Sequence, residues 1–327
     1  MEFINKEMAS FILGTKQNPL TVIRLIDGQE AIQEFTKTDD YVKNMSEFDL
    51  QSRLKSTKPV TTQQYLDFIS QQIVSWEQKY IDAIDEIIIG LNTNSLDILN
   101  LCTFPKEIVI IITNGNDECG LPYCRNNNAI ILPVTRLKFY EINGLFELLD
   151  GNSWEKTVQH ELFHIISRNN IPMRNKLYES IGFHLIPDNK YAVLSDKLND
   201  LRITNPDAPL TYHYIKLHTN SSQDKELCLA PVLIASEKYD LTKHEKFFAY
   251  LLTRFAILDE NTWTVKDLIS YDDMDKTEFY KKIGKNTNYI LHPEEILADN
   301  FVLLLKHESY VASPQILELM KNVLRGK

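Results

Sequence analysis

The chain is short of several things, and each shortage closes a class of protein. Glycine and proline number only 10 and 12 in 327 residues, which excludes collagen-like and low-complexity folds. Cysteine is scarcer, at four. Cys102, Cys119, Cys124 and Cys228 are too few to staple a chain of this length, and read as reduced thiols of a cytosolic protein. Positive charge is in deficit, with 35 Lys and Arg against 45 Asp and Glu for a net charge of −10. That argues against nucleic acid or an anionic membrane surface as the main partner. The richest apolar runs, 108–112 and 301–305, fall far short of the ~20 residues that span a bilayer. The first ten residues, MEFINKEMAS, put acidic groups where a signal peptide needs basic ones. The expectation is a soluble cytoplasmic protein without membrane insertion, although export without an N-terminal signal would leave the same trace.

What is present is ordinary globular material. Hydrophobic residues make up 43% and charged residues 24%, enough to bury a sizeable core. At ~150 residues per domain the length allows one large domain or two modest ones. Residues 61–89 carry Tyr65, Phe68, Ile69, Ile73, Trp76, Tyr80, Ile84 and Ile88 at spacings of three and four, which predicts one long amphipathic helix closed at Gly90. The β-branched run 107–113, ended by Asn114-Gly115, predicts a buried strand, and 129–132 a second strand whose Pro133 suits an edge or a strand end. A helix is expected over 153–168, with Asn152 and Glu155 at capping-box spacing, stopped by Asn169-Asn170-Ile171-Pro172. The stretch 185–225, rich in Asn, Asp, Pro and Ser, reads as loops or an insertion, and 242–258 as helix. Pro293 and Pro314 each sit at a helix's first position, the second with Ser313 as N-cap.

The residues that carry chemistry are His160-Glu161-Leu162-Phe163-His164. On a helix, positions i and i+4 share one face a turn apart, so both imidazoles can reach one ion. Two imidazoles and a carboxylate leave zinc one open position for water, and an ion so held acidifies water and polarises a carbonyl. Glu161, beside the first His, is placed to take the proton. The helix is expected independently, because Val158, Leu162, Ile165 and Ile166 form an apolar stripe beside the two histidines. A metzincin would need Gly at 167 and His at 170, where this chain has Ser167 and Asn170.

A third ligand must come from elsewhere. In His292-Pro-Glu-Glu-Ile-Leu-Ala-Asp-Asn-Phe301, Glu295 and Asp299 share a helix face; a Glu there can bind an ion and an Asp one turn on can orient a ligating His. Glu179, in Leu177-Tyr-Glu-Ser-Ile-Gly-Phe183, is the competing carboxylate but has no Asp four residues on, and His292, preceding Pro293, reads as a helix cap. Cys119 and Cys124 could form half a second metal site, but no matching Cys or His pair follows.

Together, His160-Glu161-x-x-His164 and Glu295-x-x-x-Asp299 resemble the gluzincin metallopeptidases, the thermolysin-like branch of the zincins. The resemblance implies an α+β, zincin-like fold, mostly helical with a small mixed sheet. It implies one zinc per chain held by His160, His164 and Glu295, with Glu161 as general base and Asp299 behind the ligands. It also implies that an edge strand, here 129–132, takes substrate backbone by β-addition, and that a His, Tyr or Arg stabilises an oxyanion; Tyr212, His213 and Tyr214 are the candidates. The 130 residues between His164 and Glu295 exceed the thermolysin spacing and require a large insertion, about 170–290. The expected organisation is a helical region over 1–100 and a metallopeptidase domain over 101–327. The expected function is hydrolysis of peptide bonds in a peptide or protein substrate. The rival is an inactive relative that keeps the fold and only binds a peptide or protein.

Overall fold

The computed structural model describes residues 9–136, 139–142, 145–148 and 151–326, of which 139–142, 145–148 and 151–153 are described by backbone alone. Two compact units are present, Met1–Lys37 with Asp67–Asn169 and Thr38–Leu66 with Asn170–Lys327.

The first unit is built on a mixed sheet. Its strands are β1 (Ser10–Gly14), β2 (Pro19–Leu25), β3 (Glu107–Thr113), β4 (Tyr123–Arg125) and β5 (Ala129–Pro133), in the order β1-β2-β3-β5-β4. β2, β3 and β5 run parallel, and β1 and β4 flank them antiparallel. Every residue of β3 after Glu107 is buried, as a parallel strand covered on both faces requires. A backbone hairpin, β6 (Phe139–Ile142) with β7 (Leu145–Leu148), follows. The Gly151–Asn169 helix then buries Trp154, Val158, Leu162, Phe163, Ile165 and Ile166. The side chain of Asn152, half of the expected capping box, lies outside the described residues.

The second unit carries an antiparallel sheet of β8 (Phe183–Leu185), β9 (His213–Thr219), β10 (Ser222–Ala235), β11 (Leu251–Leu258) and β12 (Val265–Ile269), in the order β12-β11-β10-β9-β8. Ala230, Val232, Ile234, Ala256, Leu258 and Trp263 form a buried cluster on it. The Pro293–Leu305 and Pro314–Leu324 helices start where their prolines predict.

Several expectations are corrected. The α+β class stands, but a mostly helical chain with one small sheet does not: 42% of it is helical, and it holds two five-stranded sheets, one mixed and one antiparallel. The long helix over 61–89 is two helices, Thr62–Ser70 and Gln78–Asn94. Between them the backbone leaves helix to bond the first sheet: Val74 N–H donates to Ile112 O at 2.9 Å and Asn114 N–H to Gln72 O at 2.9 Å. Trp76 Nε1 also donates to Ile26 O at 3.0 Å. The helix expected over 242–258 is instead a single turn of tight helix, Phe247–Ala249, followed by β11. β11 pairs with β10 from Leu251↔Ala235 to Ile257↔Leu229. Periodicity does not separate strand from helix in so short an apolar run. The loop-like stretch 185–225 contains β9 and the start of β10. Finally, β5 is interior, between β3 and β4, so 129–132 is not an edge strand; the edges are β1 and β4, and Pro133 stands at the strand's end.

Candidate metal centre

The two histidines lie on the Gly151–Asn169 helix of the first unit. Their rings stand edge to face with centroids 4.8 Å apart, and one ring nitrogen of each lies within 4.8 Å of the other. His164 is fully buried and His160 half-buried. The helix is held on both sides of them. Trp154 packs on Tyr80, ring centroids 6.2 Å apart. At the other end Arg168 donates to Asn126 O at 2.9 Å, and Asn169 Nδ2 to Ile165 O at 2.8 Å and Asn127 O at 2.7 Å. The next helix, Ile171–Ser180, begins at once with Asn170 accepting from Met173 N–H at 3.1 Å. Two converging imidazoles are a donor set suited to a borderline-soft divalent ion such as zinc.

Glu161 is 2% exposed, an unusual burial for a carboxylate. β4 supplies one of its neighbours: the Cys124 thiol lies 3.2 Å from Glu161 Oε2 and 3.4 Å from the Glu161 main-chain oxygen. All three β4 residues are buried and anchored. Tyr123 OH donates to Asp117 Oδ2 at 2.8 Å, Thr113 Oγ1 donates to Asp117 Oδ1 at 2.7 Å, and Arg125 donates to Lys37 O at 2.9 Å. Burial raises the Asp117 carboxyl above its usual range, against the lowering effect of the Thr113 and Tyr123 hydrogen bonds.

Glu295 and Asp299 belong to the second unit, on the Pro293–Leu305 helix. His292 caps it as expected, its Nδ1 accepting from Glu294 N–H at 3.1 Å. Glu295 is 3% exposed, in the first turn, where the helix dipole favours a carboxylate. Asn205 Nδ2 donates to its Oε1 at 2.8 Å. Asp299 accepts from the Thr287 hydroxyl. Glu179, the competing carboxylate, is exposed.

Of the three oxyanion candidates, His213 is the buried one; Tyr212 and Tyr214 are half-buried, and burial raises both hydroxyls above their usual range. The His213 ring packs on Tyr178 at 4.5 Å, and its Nε2 is 3.1 Å from Asn175 Oδ1. Burial, then the nearby His292 and Arg174, push its imidazole down to about 3, so it is neutral at neutral pH. Tyr178 in turn donates to Glu294 Oε2, and burial followed by the Glu294 charge raises its hydroxyl well above the usual range.

Spacing revealed neither Cys124 beside Glu161 nor Asn205 beside Glu295, because 37 and 90 residues separate the partners. It also missed a second group able to hold a metal, His218, Glu226 and Glu278 in the second unit. There Lys282 already pairs with Glu278 at 3.4 Å and Glu226 at 3.9 Å. Burial opposes ionisation of Glu278, but the His218 main-chain N–H, the His218 ring and Lys282 hold its carboxyl below the usual range. An ammonium thus already occupies the attractive field a cation would need.

No family model, curated protein or solved structure matches this chain. The zincin-like fold implied by the motif resemblance therefore finds no counterpart, and the site rests on its own geometry. Among the described residues no helix is long and apolar enough to cross a membrane.

Proposed function

We propose that the chain is a zinc-dependent hydrolase of peptide bonds. One observation carries this reading: a single helix presents two imidazoles with ring centroids 4.8 Å apart, and the intervening Glu161 of the same helix is buried. An accidental pair of solvated histidines would leave all three groups in water. In this reading His160 and His164 would hold the ion, with Glu295 as the third ligand that the motif resemblance implies. Burial and the Asn205 hydrogen bond favour Glu295 over the exposed Glu179. The ion, when bound, supplies Lewis acidity. Glu161 accepts a proton from the attacking water at its carboxylate and passes it to the leaving amine. Asp299 would orient a ligand from behind.

Metal content and turnover test the reading together. Elemental analysis of the purified chain is expected to give about one zinc per chain, retained in Glu179→Ala and lost in His164→Ala and Glu295→Ala. Glu161→Gln is expected to keep the zinc and lose cleavage of labelled casein by at least ~10²-fold. Zinc-free wild type after dialysis against zinc would end the metal reading. Zinc-loaded wild type without turnover would leave a binding module instead of an enzyme.

A further inference from the structure

The thiol of Cys124 is the feature of the first unit that the hydrolytic reading does not use. We infer that Cys124 is a positioning residue, whose S–H holds the Glu161 carboxylate in its working orientation. The inference rests on the assignment of Glu161 as the base. Cys124 is fully buried, on a strand residue paired with Ile130, and the residues on either side of it are pinned through Asp117 and Lys37. Its sulfur therefore cannot drift. It has one proton to give, and Glu161 offers it the Oε2 at 3.2 Å and the main-chain oxygen at 3.4 Å. The carboxylate is the stronger and nearer acceptor, so the proton goes there.

This contact ties a three-torsion side chain on the helix to an edge strand of the sheet. A Glu side chain free to sample its rotamers spends little time in reach of one particular water. A base displaced by about 1 Å loses on the order of 10²-fold in rate. The weakness of sulfur as a donor is an advantage in this position. The thiol orients the carboxylate without neutralising it, where a Lys or Arg in the same place would draw off the basicity the reaction needs.

The test uses the full zinc-loaded chain and the best-cleaved member of a quenched fluorogenic peptide mixture. Cys124→Ala is expected to lower kcat about 10- to 100-fold while KM and zinc content stay at the wild-type level. Cys124→Ser, which keeps a hydroxyl donor, is expected to recover most of the rate. Wild-type kcat in Cys124→Ala overturns the inference. So does an equal loss in both variants that tracks a falling melting temperature or zinc content, since that is a packing effect. A second measurement needs no turnover. The S–H stretching band of Cys124, isolated as the infrared difference between wild type and Cys124→Ser, is expected to move to higher frequency in Glu161→Gln, a weaker acceptor. An unmoved band overturns the inference whether or not the chain cleaves peptides. A band that moves in a zinc-loaded chain without hydrolytic activity counts against the peptidase reading and leaves the tether standing.

Discussion

The two sheets meet the problem of burial in opposite ways. In the first unit β3 is buried on both faces, and its run of isoleucines has no solvent side. In the second, β9 alternates buried and half-buried positions from His213 to Thr219, so one face packs while the other meets water. The first arrangement gives a dry, stiff support behind the helix of His160 and His164, on which side-chain geometry can be held closely. The second unit also buries polar groups: His213 on β9, Tyr178 and Glu294 on helices, and the pair of Asp49 and Arg53, 2.7 Å apart. The two kinds of sheet should respond differently when one of their residues is changed.

The largest effect is expected in that buried pair of the second unit. Asp49 also caps its own helix through Ser46 and accepts from Thr204 N–H, while Arg53 stacks on Phe247, 4.2 Å from the ring centroid. Asp49→Ala removes the carboxylate 2.7 Å from a buried guanidinium and is expected to cost about 3–5 kcal/mol, read as a shift in urea midpoint. A smaller loss would mean that water reaches Arg53 and that the second unit is less dry than its packing implies.

Next comes the two-sided burial of β3. Ile111, fully buried and paired with Ile131, is expected to lose about 2–4 kcal/mol on truncation to Ala. Lys216→Ala, on the wetter face of β9, is expected to change stability by less than ~0.5 kcal/mol. Comparable losses at the two sites would erase the contrast between the sheets.

The most telling effect is in pH. His213 has its folded value lowered to about 3 against ~6.5 unfolded. Its contribution is whole above pH ~6.5 and is lost as pH falls toward 3, because the unfolded chain takes up the proton first. Asp117 is raised, so its contribution is whole below its ordinary value of ~3.9 and is lost as pH rises through the raised value. Acid should therefore weaken the second unit through His213 and favour the first through Asp117. Hydrogen exchange followed by mass spectrometry at pH 4 and 7 reads both units in one sample. His213→Asn should flatten the acid sensitivity of the second unit, and Asp117→Asn the opposite trend in the first. Slopes of the same sign in both would refute the assignment of these two groups.

Much of this molecule was legible residue by residue. The helix starts at Pro293 and Pro314 follow from a missing N–H and a fixed φ, and the cap at His292 from its place before that proline. Ser313 is the N-cap residue too, but its hydroxyl is used to accept from Lys285 N–H at 2.9 Å, a partner no local rule could name. β3 and β5 were legible from β-branched content. The strands β1 and β2 were missed in what read as a helical region, and β11 read as helix; β2 and β11 become strands by pairing with residues distant in the chain, Val22 with Glu107 and Leu251 with Ala235, and β1 follows by a tight hairpin with β2.

The same division holds at the site. That His160 and His164 share a face, with Glu161 between them, follows from the helical period alone, since a contact four residues apart is decided within a single turn. Which groups surround the carboxylates was decided only by folding. Cys124 reaches Glu161 because β4 is laid antiparallel along β5 at the edge of the first sheet, and Asn205 reaches Glu295 across 90 residues of chain. Local geometry is set by torsions a few residues long, whereas these contacts depend on loop closures whose outcome is chosen by the burial of the whole core.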